Sequence, residues 1–267
     1  MKSRSTHICL VYAARSLFVT GAVTFLAEGL RDNLRVGYIG RGSRDGLVDE
    51  LSLLGDVDAL LRSGQLFVSS IDEMYPSGSV IDERHQVEVY RDATRQAVCD
   101  GYQGLRVAAD STSMVITERQ VRAFARYEHL VDHMMLTEPF SGLCGYDTGE
   151  VNQAASSLLA CLHSVSHGEE PLFHLAWDPN GQLAVTGECD ASTTALLGNV
   201  LDSIDWAEQR VRIDLRNASF IDHRSLLTID QFAYEKHCVV ELVNVSGPVR
   251  KLMGLLQGDI SQLVVAA

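Results

Sequence analysis

Strand-like and helix-like apolar patterns alternate along the first part of the chain. Strands are predicted at residues 7–12, 35–39, 66–70, 105–109 and 140–146, and the first of these has the continuous apolar character of a strand buried on both faces. Between and after these strands, apolar residues recur every three or four positions, the spacing of a helix, at residues 18–30, 47–54, 82–100, 121–136 and 151–162. This order predicts an α/β fold in which helices cover a mostly parallel sheet.

The remainder of the chain shows the same alternation on a smaller scale. Strands are predicted at residues 173–177, 183–186, 211–215, 239–243 and 262–265, and helices at 193–204, from Asp222 onward and at 249–256. A short polar loop and an apolar step at Phe220 and Ile221 are expected just before Asp222. The polar stretch before Pro171 is the best candidate for a boundary. We therefore expect a domain at 1–165, a linker at 166–170 and a second domain, a smaller sheet with helices, at 171–267.

Acidic residues outnumber basic residues by 35 to 22, which gives a formal net charge of -13. Because binding to nucleic acid or to an anionic membrane requires a basic surface, neither partner is expected. No apolar run approaches the roughly 20 residues that span a bilayer, and no signal peptide is recognisable at the start. The six cysteines are dispersed without a CxxC pair, so we expect a reduced, cytoplasmic protein.

Several polar and aromatic residues remain that an α/β core does not need. They are His7, Tyr12, Glu73, Tyr75, Tyr102, Arg106, Glu128 and Tyr146. Their order and spacing over residues 6–163 resemble those of the MEDS family, the methanogen/methylotroph sensory domains. The resemblance implies a RecA-like core and a small organic ligand bound by these eight side chains. One departure is Ser113-Met114, where the resemblance leads us to expect an aromatic residue.

The polar residues of this first part leave several readings open. A P-loop needs G-x-x-x-x-G-K-[ST], but residues 13–16 are Ala-Ala-Arg-Ser, so nucleotide hydrolysis is not expected. Arg106 lies on a predicted buried strand and needs a counter-charge, for which Glu73, Asp110 and Glu128 are the candidates. The pair is either structural or part of a ligand-facing cluster. The tyrosines either line an amphipathic pocket or belong to the core, and Arg41 is expected on a surface loop.

No metal site and no cofactor are expected. His129 and His133 have the i, i+4 spacing of two ligands on one helix face, but a solvated face is the favoured interpretation. Cys161, His163 and His167 cluster in sequence near the junction, yet zinc normally requires four ligands. No arrangement of nucleophile, base and acid is recognisable, so no catalytic residue is assigned.

The second part of the chain carries a different motif. Residues 183–190 (LAVTGECD) and 211–227 (VRIDLRNASFIDHRSLL) resemble the STAS domains of bacterial anti-sigma-factor antagonists. Asp222 is the expected N-cap of the following helix. The resemblance implies that an anti-sigma factor or a kinase-like protein docks on Asp190, Asp222, His223, Arg224 and Ser225. His223 replaces the Ser that is phosphorylated in the family, which leaves Ser225 either as an alternative acceptor or as a local backbone contact.

These patterns combine into one hypothesis. The chain is interpreted as a cytoplasmic bacterial signalling protein, in which a MEDS-like sensory domain controls a STAS-like interaction domain without enzymatic activity. One alternative is an enzyme that modifies a small molecule with the N-terminal Tyr/Arg/Glu cluster. Another is a scaffold that senses nothing and forms a homodimer.

Overall fold

The computed structural model describes residues 5–178, 180–206 and 210–266. The first unit is built on a parallel sheet of six strands in the order β3-β2-β4-β5-β1-β6. Their bounds are β1 His7–Tyr12, β2 Arg35–Gly40, β3 Leu66–Ser70, β4 Leu105–Asp110, β5 Phe140–Asp147 and β6 Val165–His167. The predicted α/β class, a parallel sheet layered with helices and followed by a smaller sheet with helices, is confirmed.

Helices cover both faces of this sheet. They are α1 Arg15–Arg31, α2 Arg44–Glu50, α3 Val57–Ser63, α4 Ile71–Met74, α5 Glu83–Cys99, α6 Glu118–Met134 and α7 Gln153–Cys161. Helices α1 to α3 enclose one hydrophobic core, and α5 to α7 enclose another on the opposite face. Side-chain hydrogen bonds cap the first turns of three helices on one face: Asp82 caps α5, Thr117 forms a capping box on α6, and Asn152 caps α7.

The second unit is a five-stranded sheet in the order β11-β10-β9-β8-β7, in which only β7 is antiparallel to its neighbour. The strands are β7 Phe173–Trp177, β8 Leu183–Cys189, β9 Arg210–Ile221, β10 Val239–Val243 and β11 Leu263–Val265. The helices are α8 Thr194–Ser203, α9 His223–Glu235 and α10 Gly247–Leu255. Helices α6 and α7 pack on β7 and α8, so the two units share one apolar core.

The structure differs from the sequence-based elements at several places. The polar loop expected before Phe220 is wrong, because β9 is one strand of 12 residues. Its pairing with β8 shifts twice, between Ala184 and Thr186 and between Gly187 and Glu188, so that β9 contributes extra residues to the ladder. At Gly187 φ is +93° and a Cβ would lie 2.3 Å from the Leu172 oxygen on the side of β7, so this position requires glycine. Phe220 is 52% exposed rather than part of the core.

Three short elements also fall where none was predicted. Helix α3 follows Gly55, and the single turn of α4 follows β3 directly. Strand β6 lies within the polar stretch that was expected to separate the domains, and it pairs with β1. The first sheet therefore extends beyond residue 165 into the predicted linker. Elements of three to seven residues carry too few apolar positions for periodicity to detect them.

Candidate functional site

A buried polar cluster lies where β1, β5 and α6 meet. It consists of His7, Glu128, Cys144, Tyr146 and His163, which we call the Glu128 cluster. Each of the five residues is at most 7% exposed. Alternation along the strands turns His7 of β1 and both Cys144 and Tyr146 of β5 toward α6, which carries Glu128.

Glu128 is the centre of this cluster. Its Oε1 accepts a hydrogen bond of 2.5 Å from the Tyr146 hydroxyl. Its Oε2 lies 2.9 Å from Nε2 of His7 and 3.7 Å from Nε2 of His163. A fully buried carboxylate is thus surrounded by two imidazoles and a phenol, which compensate for its lost hydration.

The two histidines have different charges. Burial opposes a proton on His7, but hydrogen bonds to Asp132 and Glu128 outweigh burial and raise the His7 pKa to about 9. Burial and the nearby His7 charge lower the pKa of His163 to about 4. Burial opposes ionisation of Glu128, yet the imidazoles and the Tyr146 hydrogen bond lower its pKa to about 2. Near neutral pH the cluster therefore holds one imidazolium, one carboxylate and one neutral imidazole.

Two hydrogen bonds connect the Glu128 cluster to the second unit. Asp132 Oδ1 lies 3.3 Å from Nδ1 of His7, and Asp132 Oδ2 accepts a 2.9 Å bond from the backbone N–H of Trp177. The backbone oxygen of His163 lies 2.8 Å from Nδ1 of His174. Trp177 and His174 both belong to β7, the edge strand of the second sheet. This strand is therefore linked to His7 through Asp132 and to His163 directly.

A small pocket adjoins the Glu128 cluster on the same face of the sheet. Its volume is about 40 Å³. Its walls are largely apolar and aromatic: Ile39, Ile71, Met74, Tyr75, Ile81, Gln86, Tyr90, Ala109, Ser111, Met114, Phe124, Tyr127 and Cys144. We call it the aromatic pocket. Cys144 belongs to both the pocket and the cluster, and Met114 is the residue at which the chain departs from the expected aromatic.

A second polar cluster lies at the carboxyl ends of β1, β2 and β4, on the other face. We call it the Asp110 cluster; it contains Tyr12, Arg15, Arg41, Asp110 and Thr112. The buried Asp110 carboxylate accepts hydrogen bonds from both arginines, from the Tyr12 hydroxyl and from the Thr112 backbone and hydroxyl. Arg41, expected on a surface loop, therefore forms part of a partly buried ionic network.

The eight predicted ligand residues do not form one site. His7, Glu128 and Tyr146 lie together in the Glu128 cluster, and Tyr75 lines the adjoining aromatic pocket. Tyr12 belongs to the Asp110 cluster on the opposite face. The sequence-based set is thus divided by the sheet itself.

The remaining three predicted residues lie apart. Glu73 is exposed on α4, and the Tyr102 hydroxyl points to the Ser63 backbone oxygen at 3.4 Å. Arg106 Nη1 lies 3.1 Å from Glu28 Oε2 and donates a 2.9 Å bond to the Phe25 oxygen.

The three acidic partners predicted for Arg106, which were Glu73, Asp110 and Glu128, are therefore wrong. Strand alternation turns Arg106 toward α1, whereas Glu128 is on α6 across the sheet. The partner that the structure shows is Glu28, which lies on α1. The apolar spacing of this helix predicted its buried face but gave no partner for its polar residues.

The predicted interpretation of the histidine pair also needs correction. His129 is 2% exposed, so the solvated face expected for it is wrong; its ring lies 5.3 Å from the ring of Trp177. His133 is exposed and contacts the same Trp177 ring at 4.6 Å. His163 was considered beside Cys161, but it groups with residues of β1, β5 and α6 instead. Residue spacing along the sequence does not reveal groups that come together from distant strands and helices.

The predicted docking residues of the second unit surround the start of α9. Asp222 caps this helix by accepting hydrogen bonds from the Ser225 backbone and hydroxyl. His223 and Arg224 are exposed, whereas Ser225 is fully buried. Asp190 follows β8 next to this turn, because Cys189 pairs with Ile221. Ser225 is therefore a buried donor to the Asp222 cap.

The fold and its sites define a class of protein. It is an α/β domain with a parallel sheet, a small apolar pocket and an adjacent cluster of ionised groups. The family model described as "MEthanogen/methylotroph, DcmR Sensory domain", or MEDS, matches residues 6–164. The chain belongs to the MEDS family, which indicates a sensor role in signalling. The predicted MEDS resemblance is confirmed, while the STAS resemblance stays a prediction.

A comparison with curated proteins found no match. Among solved structures, the chain is similar to a KaiC-like protein from the hyperthermophilic archaeon Pyrococcus horikoshii OT3. The two share 13% identity over 67% of this chain and 74% of that chain, with a TM-score of 0.41. Among the residues that the structure describes, no helix combines the length and apolar character needed to cross a bilayer.

Proposed function

We propose that the protein is a cytoplasmic sensor in which a small organic molecule binds in the aromatic pocket and alters the second unit. The observation that carries this proposal is the position of Cys144, which lines the pocket and also belongs to the Glu128 cluster. That cluster in turn contacts β7 of the second sheet through Asp132 and His163. Pocket and second unit are thus joined by a short chain of packed polar groups.

The size and lining of the pocket define the class of ligand. A cavity needs about 10–15 Å³ to hold one water molecule. The pocket of about 40 Å³ therefore accepts a molecule of about three non-hydrogen atoms. The Tyr90 and Tyr127 rings give the pocket apolar walls. The Tyr75 hydroxyl, which is hydrogen-bonded to Gln86, is one of its few polar groups. These features favour a compact neutral compound of one to three carbon atoms with at most one polar group.

The proposed output surface is the start of α9 and its surroundings. The strand order of the second sheet and the capping of α9 by Asp222 support a STAS-like docking unit. Exposed His223 and Arg224 lie beside a groove of about 400 Å³ to which the exposed Phe220 contributes. An anti-sigma factor or kinase-like protein would dock on this surface. Because His223 replaces the usual acceptor and Ser225 is buried, docking would respond to the sensory domain rather than to phosphorylation.

We also propose that the domain binds its ligand without converting it. The enzyme alternative required a cluster of Tyr, Arg and Glu side chains. Arg106 lies with Glu28 on the opposite face of the sheet from Glu128 and Tyr146, which supports binding alone. Incubation with each bound compound, followed by mass spectrometry, tests this: any turnover that depends on the protein contradicts it.

Ligand binding is tested by titrating the full chain with small alcohols, aldehydes and haloalkanes while the intrinsic fluorescence is recorded. Trp177 contacts His129, His133 and Asp132, so a change in the junction alters its emission. Replacing Ala109 with Val fills the pocket and should abolish the response. The matched control is Ala184→Val, a partly buried alanine on β8 of the second sheet. An equal response in both variants would exclude this pocket.

Partner binding is tested by a pull-down from the native host with the full chain and with His223→Glu/Arg224→Glu. These substitutions reverse or add charge on exposed positions without touching the Asp222 cap. Lys251→Glu, an exposed charge reversal on α10, is the matched control. Recovery of an anti-sigma factor or kinase-like protein by the unmodified chain and the control alone supports the proposal. Identical recovery by all three baits rejects this docking surface.

A further inference from the structure

The Glu128 cluster has a property that a structural ion pair does not require. Four of its side chains, His7, Glu128, Cys144 and His163, each present one metal-ligating atom, and these atoms all lie within 4.8 Å of one another. We propose that these four residues bind a divalent transition-metal ion such as Zn²⁺. The site is independent of the proposed sensory role, since metal binding is measurable without ligand or partner.

His163 supplies the strongest argument. Its Nδ1 lies 2.7 Å from the backbone oxygen of Leu159. A carbonyl oxygen can only accept, so Nδ1 carries the proton and Nε2 of the neutral ring keeps a free electron pair. That Nε2 is buried and has no hydrogen-bond partner among the described residues. Since buried polar atoms are rarely left unpaired, an unpaired nitrogen that faces a carboxylate and a thiol indicates a missing ligand.

The hydrogen-bond partners of the ligand side chains match those found at metal sites in other proteins. Histidine ligands usually donate their second N–H to a carboxylate or a backbone oxygen, which fixes the orientation of the ring. His163 bonds Leu159 in this way, and Nδ1 of His7 lies 3.3 Å from Asp132 Oδ1. The Tyr146 hydroxyl holds Glu128 Oε1, which leaves Oε2 facing both imidazoles. Each nitrogen and oxygen ligand is therefore oriented toward a common centre.

The ligand set and spacing suit tetrahedral coordination. Zinc binds nitrogen and oxygen at about 2.0–2.2 Å, so tetrahedral ligand atoms lie about 3.4 Å apart. Glu128 Oε2 is 2.9 Å from one imidazole nitrogen and 3.7 Å from the other, values on either side of this separation. Binding would release the Nε2 proton of His7 and the thiol proton of Cys144, because both atoms coordinate a metal only when deprotonated. The resulting set of one thiolate, two imidazoles and one carboxylate favours Zn²⁺ or a neighbouring late transition metal over Mg²⁺ or Ca²⁺. The sulfur of Cys144 would place the ion directly behind the wall of the aromatic pocket.

The test uses the full chain, stripped of metal with a chelator and titrated with Co²⁺, whose tetrahedral thiolate complexes absorb strongly. We expect one Co²⁺ per chain, a sulfur-to-cobalt charge-transfer band, and complete displacement of that band by Zn²⁺. Cys144→Ala should lose the band and weaken Co²⁺ binding at least 100-fold. Cys189→Ala removes another buried thiol, in the second sheet, and should leave band and affinity unchanged.

A second variant separates coordination from folding. Asp132→Asn keeps all four ligands but weakens the support behind His7, so we expect the charge-transfer band to remain while the affinity falls about 10- to 100-fold. Absence of saturable Co²⁺ binding by the unmodified chain overturns the proposal, whether or not the variants fold. A spectrum of Cys144→Ala identical to that of the unmodified chain overturns it equally.

Discussion

The Asp110 cluster allows one prediction about stability to be worked out in detail. Asp110 is fully buried, and its Oδ2 accepts hydrogen bonds from Tyr12, Arg15 and Arg41, while Oδ1 accepts two from Thr112. Asp110→Asn retains the volume but replaces one of these oxygens with an NH₂ group. That group must face either two guanidinium groups or the Thr112 backbone N–H, so at least one donor is left without an acceptor.

Removing the charged partner from a buried ion pair costs about 3–5 kcal/mol. The Arg15 and Arg41 side chains are 30% and 24% exposed, so water compensates for part of the loss. We therefore expect Asp110→Asn to lower the free energy of unfolding by about 3 kcal/mol. Glu150→Gln is the matched control, since Glu150 pairs with the same Arg41 but is 49% exposed. An exposed pair contributes about 0–1 kcal/mol.

Urea unfolding followed by circular dichroism measures both variants. The midpoint of Asp110→Asn should fall well below that of the unmodified protein, while the midpoint of Glu150→Gln should stay close to it. Equal midpoints for the two variants would show that burial does not strengthen the Asp110 pairs, and the reasoning would be refuted.

Other substitutions test packing and capping. Gly145→Ala places a Cβ 2.4 Å from the buried Phe18 ring and should destabilise the protein by about 1–3 kcal/mol. Gly254→Ala, in α10 with no atom within 4 Å of the added Cβ, should stabilise it by about 0.5–1 kcal/mol; thermal melting distinguishes the signs. Ser225→Ala should cost about 0.5–1.5 kcal/mol, because Asp222 loses one of two hydrogen bonds. Ser225→Asp should cost far more, because it buries a second carboxylate beside Asp222; equal urea midpoints for Ser225→Ala and Ser225→Asp would contradict its burial.

Hydrophobic patterning predicted the layered sheet because its strands are short, largely apolar segments. The β1 segment, His7–Tyr12, for example, is recognisable as a strand before any contact is known. The exact length of β9 was not predictable, since it depends on two shifts in its pairing with β8. A register shift is a property of the pairing between two strands and cannot be read from the sequence of either strand alone.

The candidate site was predictable only in part for a related reason. His7, Glu128 and Tyr146 were selected together, and they do meet around one carboxylate. Arg106 was assigned to the same site because its strand was known but the face toward which it points was not. His163 lies close to Cys161 in sequence, yet its ring lies beside Cys144 on the same face of the sheet. Which side chains share a face depends on strand register, and a register shift of one residue reverses every face.

The lengths of the outermost strands have a consequence for behaviour at high concentration. Strand β9, with 12 residues, lies inside its sheet between β8 and β10, whereas β6 and β11, at one edge of each sheet, have three residues each. An open strand edge offers unpaired N–H and C=O groups to another molecule, and stable cross-β stacking uses segments of about six or seven residues. The two edge strands β6 and β11 are shorter than that length, so we expect little intermolecular strand pairing at these edges when molecules collide.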